Sequence, residues 1–353
     1  MNKRGLDFWL VALLLGLFAV GLLALYTAGG EARFWTQFWR GAAGIFLMAL
    51  IGFLPARRLE EAAPVFFIAL LAVLAAVLLF GVKINNARRW LNVGFLLQPS
   101  ELMKIALPMC IAYYCARCKT NIRWPHYILM LLITALPAAL VGLQPDLGTA
   151  VMIAAAGVLA IFFSGIGWRW IAGASGAALA LLPVVWQFVL KDYQKKRVLT
   201  LLDPQQDPLG AGYHTIQSEI AIGSGGMWGK GFQEGTQAQF GFLPERHTDF
   251  IFAVFAEEFG WAGGCLMLSL AVLIVWRCLL LASKIPGTFG FITAAGIGGV
   301  FFVNFAVNLS MVSGLLPVVG LPLPLVSYGG TALLASFAGF GVVLSLARGR
   351  RGL

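Results

Sequence analysis

About ten apolar runs, each near the roughly 20 residues that cross a bilayer as a helix, divide this chain and leave little choice of fold. They extend from Phe8 to Tyr26, Phe38 to Leu54, Ala62 to Val82, Ser100 to Ala116, Tyr127 to Leu143, Gly148 to Phe163, Trp170 to Leu190, Phe250 to Ala282, Phe289 to Leu316 and Leu325 to Ala347. A backbone in hydrocarbon must satisfy its own N–H and C=O groups, so such runs are read as helices. Composition agrees: 60% of residues are hydrophobic and 11% charged, with a mean hydropathy of +0.86, whereas a soluble domain carries about 25% charge. The expected fold class is an all-α polytopic membrane protein of about ten transmembrane helices. One domain is expected over residues 1–353, with a large extracytoplasmic loop at 191–248 between the seventh and eighth spans.

The net charge of +10 could suggest nucleic acid, but in a membrane protein basic residues first report topology. With the N-terminus inside, Arg57, Arg58, Arg117, Lys119, Arg123, Arg169, Lys284, Arg348, Arg350 and Arg351 all fall on the cytoplasmic side. Both termini are then cytoplasmic. The first span lacks a small-residue cleavage pattern and reads as an anchor, not a removed signal peptide. Cys110, Cys115, Cys118, Cys265 and Cys278 lie within or at the ends of apolar runs and read as packing residues, since Cys115 and Cys118 lack the second pair of a zinc site.

Four cations break the topology rule. Lys83, Arg88 and Arg89 sit in the second outer loop, as solvated or headgroup-contacting residues or as ligands of an anion. Lys104 lies just inside the fourth span, where an ionisable group needs a partner. Glu101, three residues earlier, occupies a neighbouring helix position, and the pair is either structural or part of a site. Gln98-Pro99-Ser100-Glu101 has the form of a helix start. Asp146, in Gln144-Pro145-Asp146-Leu-Gly-Thr149, is equally suited to cap the sixth span or to act in a site.

The long polar interval runs from Lys191 to Phe252 and holds the candidate chemistry. Its basic run Lys195-Lys196-Arg197 reads as a solvated face or a headgroup anchor. Leu202 to Tyr213 is rich in turn residues, and Gln217 to Ile222 predicts a short amphipathic helix. Gly223 to Gly231 superficially resembles a phosphate loop, yet the first Walker glycine would fall on Ser224, and Gly231 stands where the magnesium-binding Ser or Thr should be. A glycine-rich turn approaching a lipid or sugar is the better reading.

At the end of the interval, Asp249 is expected in the first turn of the eighth span, where exposed amides favour an ionised carboxylate. It could cap that helix, accept a proton or bind a cation. Ala253, Ala256 and Gly260 follow on one face as a groove of small side chains, able to pack a helix or admit a lipid chain. Glu257 and Glu258 lie deeper and point apart, so at least one needs an internal partner. His126, His214 and His247 are not spaced like metal ligands. Three prolines between Leu316 and Gly330 mark irregular backbone that must be covered by protein or face a cavity. Together these residues suggest a site for an amphiphilic anion on the outer face, in an enzyme acting on a lipid-linked substrate or in a transporter.

Several blocks resemble the SEDS family, in particular its RodA branch. They are Ala87-Arg-Arg-Trp90, Gln98-Pro-Ser-Glu-Leu-Met-Lys104, Gln144-Pro-Asp-Leu-Gly-Thr149, Tyr193-Gln-Lys-Lys-Arg-Val198, Gln217-Ser-Glu-Ile-Ala-Ile-Gly-Ser-Gly-Gly226, Leu243-Pro-Glu-Arg-His-Thr-Asp-Phe-Ile-Phe252 and Leu321-Pro-Leu-Pro-Leu-Val-Ser-Tyr-Gly-Gly330. The RodA branch is favoured over FtsW by Gly235 to His247. The resemblance implies a peptidoglycan glycosyltransferase of the cytoplasmic (inner) membrane that polymerises lipid II into β-1,4 glycan strands during cell elongation and shape maintenance. It implies Asp249 as catalytic residue, and Glu101, Lys104, Arg89 and Asp146 as functional positions.

Arg197, Gln217 and Ser327 lie in the matching blocks and join the substrate-binding candidates. Asp249 would be general base for an inverting transfer that releases undecaprenyl diphosphate, with Lys104, Arg89 and Arg197 stabilising the leaving group. A divalent cation, magnesium or manganese, could share that work, although no ligand set demands one. A lipid II flippase is the rival reading, against which no inverted repeat is evident. A scaffold that only positions a transpeptidase would leave the buried charges unexplained. The resemblance also implies a class B penicillin-binding protein as partner, with MreC and MreD of the elongation complex.

Overall fold

The computed structural model describes residues 5–84, 87–92, 94, 96–118, 123–189, 195, 198–201, 211–243 and 245–349. Among them are ten α-helices of 17 residues or more: α1 (Phe8–Gly29), α2 (Glu31–Gly52), α3 (Ala56–Phe80), α4 (Pro99–Arg117), α5 (Trp124–Leu143), α6 (Leu147–Phe163), α7 (Trp168–Val184), α10 (Ile251–Ala282), α11 (Thr288–Val312) and α12 (Gly330–Gly349). Between α7 and α10 come a π-helical turn, Val185–Val189, then α8 (Ala211–Ser224) and the single turn α9 (Thr236–Gln239). Six helices, α1, α3, α5, α10, α11 and α12, are long and apolar enough to cross a membrane.

The core is formed by α11, α12 and α4, whose side chains are buried nearly all round. Small residues permit this density. A Cβ on Gly341 of α12 would stand 2.8 Å from the Met48 carbonyl of α2, and one on Gly44 would meet the Phe337 ring 2.5 Å away. The helices therefore approach at backbone contact. Phe8, Trp9, Trp39, Phe46 and Leu79 project outward, as expected of surfaces solvated by lipid.

At one end of the bundle both ends of the described chain meet. Asp7 caps α1 by accepting from Leu10 N (3.0 Å), and Arg277 of α10 donates to both of its oxygens (3.0 and 2.7 Å). Gly5, Asp7, Lys284 and Arg348 line one small cavity there.

The connection from α3 to α4 departs from the all-α expectation. Val82–Ile84 (β1), Ala87–Asn92 (β2) and Leu96–Leu97 (β3) form an antiparallel sheet in the order β1-β2-β3, with Lys83 opposite Arg88 and Leu91 opposite Leu97. β-branched and aromatic residues favour such pairing, and the strand alternation sends Arg88 and Arg89 to opposite faces. Arg88 Nη1 returns to the Leu78 and Leu79 carbonyls at the end of α3 (3.3 and 3.4 Å), whereas Arg89 turns toward α6.

The loop before α10 corrects three further expectations. The amphipathic helix is longer than Gln217 to Ile222, beginning at Ala211, so part of the anticipated turn region is helical; residues 202–210 lie outside the described set. Ala253, Ala256 and Gly260 form no open groove, because Ala253 and Ala256 are 0% and 3% exposed. The glycine-rich turn occupies that face instead. α10 breaks at Gly260 (φ 65°), and the freed backbone groups bind the turn: Trp261 N and Ala262 N donate to the Gly226 and Met227 carbonyls (2.9 and 3.1 Å), while Lys230 N and Gly231 N donate to the Glu257 and Glu258 carbonyls (3.0 and 3.1 Å). Gly229, at φ +84°, touches the Glu258 carbonyl, where a Cβ has no room. Gly225 and Gly229 thus make room for the backbone of α10.

Candidate functional site

Asp249 lies in the turn Glu245 to Phe250 that precedes α10, outside its first helical turn. The N-cap is Phe250, which supplies no side-chain cap. The physical reason is local: Thr248 Oγ1 donates to the Glu245 carbonyl and carboxylate (3.1 and 2.8 Å), and Phe250 N reaches the same carbonyl (3.4 Å), closing a separate turn.

That turn is held by the irregular segment between α11 and α12. Ser327 Oγ donates to the Thr248 carbonyl (2.5 Å) and accepts from Leu323 N (2.8 Å). Tyr328 N donates to the His247 carbonyl (2.9 Å). Asn308 of α11 donates through Nδ2 to the Asp249 carbonyl (2.9 Å) and the Leu321 carbonyl (2.6 Å). Gly320, at φ +75°, presents its backbone to the carboxylate, where a Cβ would stand 3.5 Å from Asp249 Oδ2. Ser327 thus spends its hydroxyl on backbone groups and braces Asp249 through the residue before it. The proline-rich segment is covered by protein on this side, by Gln37 of α2 donating to the Ser327 carbonyl (2.9 Å).

Its other side faces a cavity of about 50 Å³, room for a few waters. Pro322 and Pro324 wall it together with Glu101, Lys104, Asn304 and Ser336. Lys104 Nζ lies 2.9 Å from Glu101 Oε2, with both residues buried. Pro99 at the start of α4 fixes the helix that sets their three-residue spacing. Thr331 joins this wall to the sheet by donating to the Leu96 carbonyl (3.1 Å) and accepting from Gln98 N (3.4 Å).

Asp146 both caps and pairs. It accepts from Thr149 N (3.2 Å) and Thr149 Oγ1 (2.8 Å) at the start of α6, and Arg89 Nε stands 3.4 Å from its Oδ2, at ion-pair distance without hydrogen-bond alignment. Arg89 Nη2 reaches the Pro145 carbonyl (3.4 Å). Gln217 is half-buried on α8, whose Ser218 donates to the Val312 carbonyl at the end of α11 (2.5 Å). Arg197 lies outside the described residues, and the side chain of Lys83 is not described. Of the two deeper acids, Glu257 has the internal partner expected: Lys230 Nζ at 2.7 Å, joined by Thr236 Oγ1 and Gln237 N.

Sequence reasoning missed Asn304, Asn308 and Arg40. Two asparagines four apart within the apolar run from Phe289 to Leu316 were the available signal. Arg40 of α2 carries its guanidinium 5.0 Å over the Tyr328 ring, and Tyr328 stands edge to face with His247 (5.9 Å). Burial, reinforced by Arg33 and opposed by Glu245, holds the His247 pKa below the ordinary histidine value. Among the described residues no group of three or more His, Cys, Asp or Glu is arranged to hold a metal ion.

The family model described as "Cell cycle protein", covering FtsW, RodA and SpoVE, matches residues 6–352. The chain belongs to the FtsW/RodA/SpoVE family. This is the SEDS family that the sequence blocks resemble. One member, the peptidoglycan glycosyltransferase MrdB of Escherichia coli (strain K12), is 45% identical over 350 residues, covering 98% of this chain and 94% of the relative. The rod shape determining protein RodA of Thermus thermophilus has a similar structure, with TM-score 0.75, 31% identity and 98% coverage of both chains. A structure described as the structural coordination of polymerization and crosslinking by a peptidoglycan synthase complex contains a chain with TM-score 0.86, 34% identity and 98% coverage of both. Both solved structures therefore resemble this chain along 98% of its length.

Proposed function

We propose that this chain is a peptidoglycan glycosyltransferase that polymerises lipid II into β-1,4 glycan strands for cell elongation and shape. One observation carries the reading beyond family membership: the segment that holds Asp249, from Leu321 to Tyr328, also walls the Glu101–Lys104 cavity through Pro322 and Pro324. An acid and a cation with separate surroundings are joined by one rigid piece of backbone, as a reaction with an attacking hydroxyl and an anionic leaving group requires.

Asp249 takes the proton from the 4-hydroxyl of the acceptor N-acetylglucosamine as that oxygen attacks the anomeric carbon of the donor N-acetylmuramic acid. The new β-1,4 bond forms as the α-linked bond to diphosphate breaks, and its electron pair leaves with undecaprenyl diphosphate. Charge grows on the leaving group, so cations stabilise the transition state more than the ground state. Lys104, Arg89 and Arg197 fill that role. Because Lys104 is paired with Glu101 and Arg89 with Asp146, the diphosphate gains each cation in competition with a resident acid. Gln217 borders the sugar path, while Ser327 serves by bracing the turn that carries Asp249. A divalent cation, magnesium or manganese, bound to the diphosphate would share the charge stabilisation with Lys104, Arg89 and Arg197.

The reading has the protein in the inner membrane as one domain with about ten spans, both termini cytoplasmic, and the 191–248 loop and Asp249 on the extracytoplasmic face. A class B penicillin-binding protein is its cross-linking partner, within an elongation complex including MreC and MreD. The test is polymerisation of purified lipid II by this protein with that partner, native against Asp249→Asn. Strands from the native complex and none from the folded variant support the enzyme and its acid. Lipid II crossing vesicle membranes without strands from either protein would favour a flippase.

A further inference from the structure

We infer that Asn308 is a positioning residue that sets the carboxylate of Asp249 for reaction; the inference rests on the role proposed above for Asp249. Asn308 is fully buried within α11. Its amide has two N–H donors, and both are spent on backbone carbonyls from opposite sides of the site, that of Asp249 (2.9 Å) and that of Leu321 (2.6 Å). Both acceptors are carbonyls, so only one orientation of the amide satisfies them. The opposite atom, Oδ1, is buried without a hydrogen-bond partner among the described residues, a cost that a residue retained only for packing would not carry.

The helix α10 begins at Ile251 after an N-cap, Phe250, that offers no side-chain bond. In the turn before it, Ser327 holds the Thr248 carbonyl and Asn308 holds the Asp249 carbonyl. Asn304, one turn earlier on α11 and about 6 Å along its axis, lines the cavity of Lys104 and Glu101. One helix therefore gauges the distance between the acid and the cation cavity, and Asn308 is the point at which the acid is fastened to it.

The experiment compares Asn308→Leu, close in shape but without donors, with Asn308→Ser, which keeps one donor, and with Asp249→Asn, in lipid II polymerisation by the complete complex with its partner. Loss of an interaction that positions the acid is expected to lower kcat about 10- to 100-fold in Asn308→Leu, with KM for lipid II changed less than about twofold and part of kcat recovered in Asn308→Ser. Native kcat in a folded Asn308→Leu protein, or a change confined to KM, overturns the inference while leaving Asp249 in its role. Native activity in Asp249→Asn overturns both. Should Asn308→Leu not fold, Asn308→Ser carries the same comparison: its kcat must fall at constant KM, and unchanged kcat sinks the inference.

Discussion

Glu101 and Lys104 face each other at 2.9 Å inside the protein, Glu101 in the first turn of α4 and Lys104 three residues on. Removing one member of a buried pair strands the other, which costs about 3–5 kcal/mol, while removing both charges costs far less. Lys104→Met is therefore expected to lower the apparent Tm in detergent sharply, and Glu101→Gln combined with Lys104→Met to recover most of it. Polymerisation should stay low in both, because the diphosphate lacks the Lys104 cation in either. Activity in the stable double variant would show that the pair is structural only.

Asp146 has two duties that one substitution separates. Asparagine caps helices as well as aspartate does, so Asp146→Asn should hold the Thr149 amide and fold normally while losing its attraction for Arg89. Asp146→Ala should lose about 1 kcal/mol in addition. A fall in kcat common to both, with stability changed only in the alanine variant, is the expected pattern in paired polymerisation and unfolding measurements.

The glycine turn offers a contrast between neighbours. Gly229→Ala forces a side chain onto the Glu258 carbonyl at a positive φ, for an expected loss of at least about 2 kcal/mol. Gly223→Ala, six residues earlier in α8, meets nothing within 4 Å and should gain about 0.5–1 kcal/mol. Thermal unfolding of the two variants side by side measures how far the turn depends on seating in α10.

Acid should loosen the same region. Burial lowers the pKa of both His247 and His214, the latter stacked on Phe250, so the folded state prefers the neutral rings and the unfolded state binds more protons. Stability is then full above the ordinary value of about 6.5 and declines as pH falls through it toward the lower folded values. Glu245 opposes the shift at both rings, while Arg33 and Arg246 reinforce it at His247. The apparent Tm of native protein should drop below about pH 6.5, and His247→Gln should flatten that dependence.

The long helices were legible because apolar length alone dictates them, and Glu101, Lys104 and Asp146 were legible because charge in such surroundings demands a partner. The sheet was not, since nine strand residues between Val82 and Asn92 carry too short a pattern to compete with a loop. Gly225 and Gly229 read as an approach to a ligand because sequence cannot say what a glycine makes room for, and here it is the backbone of α10. The start of α10 was placed too early for want of the Glu245–Thr248 turn, a contact between side chain and backbone that helix periodicity does not register. Asn308 escaped notice because its partners, Asp249 and Leu321, lie 59 and 13 residues away.

The break at Gly260 has a mechanical consequence. From Trp261 to Ala282 the helix rises about 33 Å at 1.5 Å per residue, close to the roughly 30 Å of a hydrocarbon layer. The part before the break is fastened to the glycine turn, and the turn ahead of it to α11 and the proline segment. The stretch matched to the hydrocarbon thus ends at the break, and the turn that carries Asp249 takes its anchorage from protein.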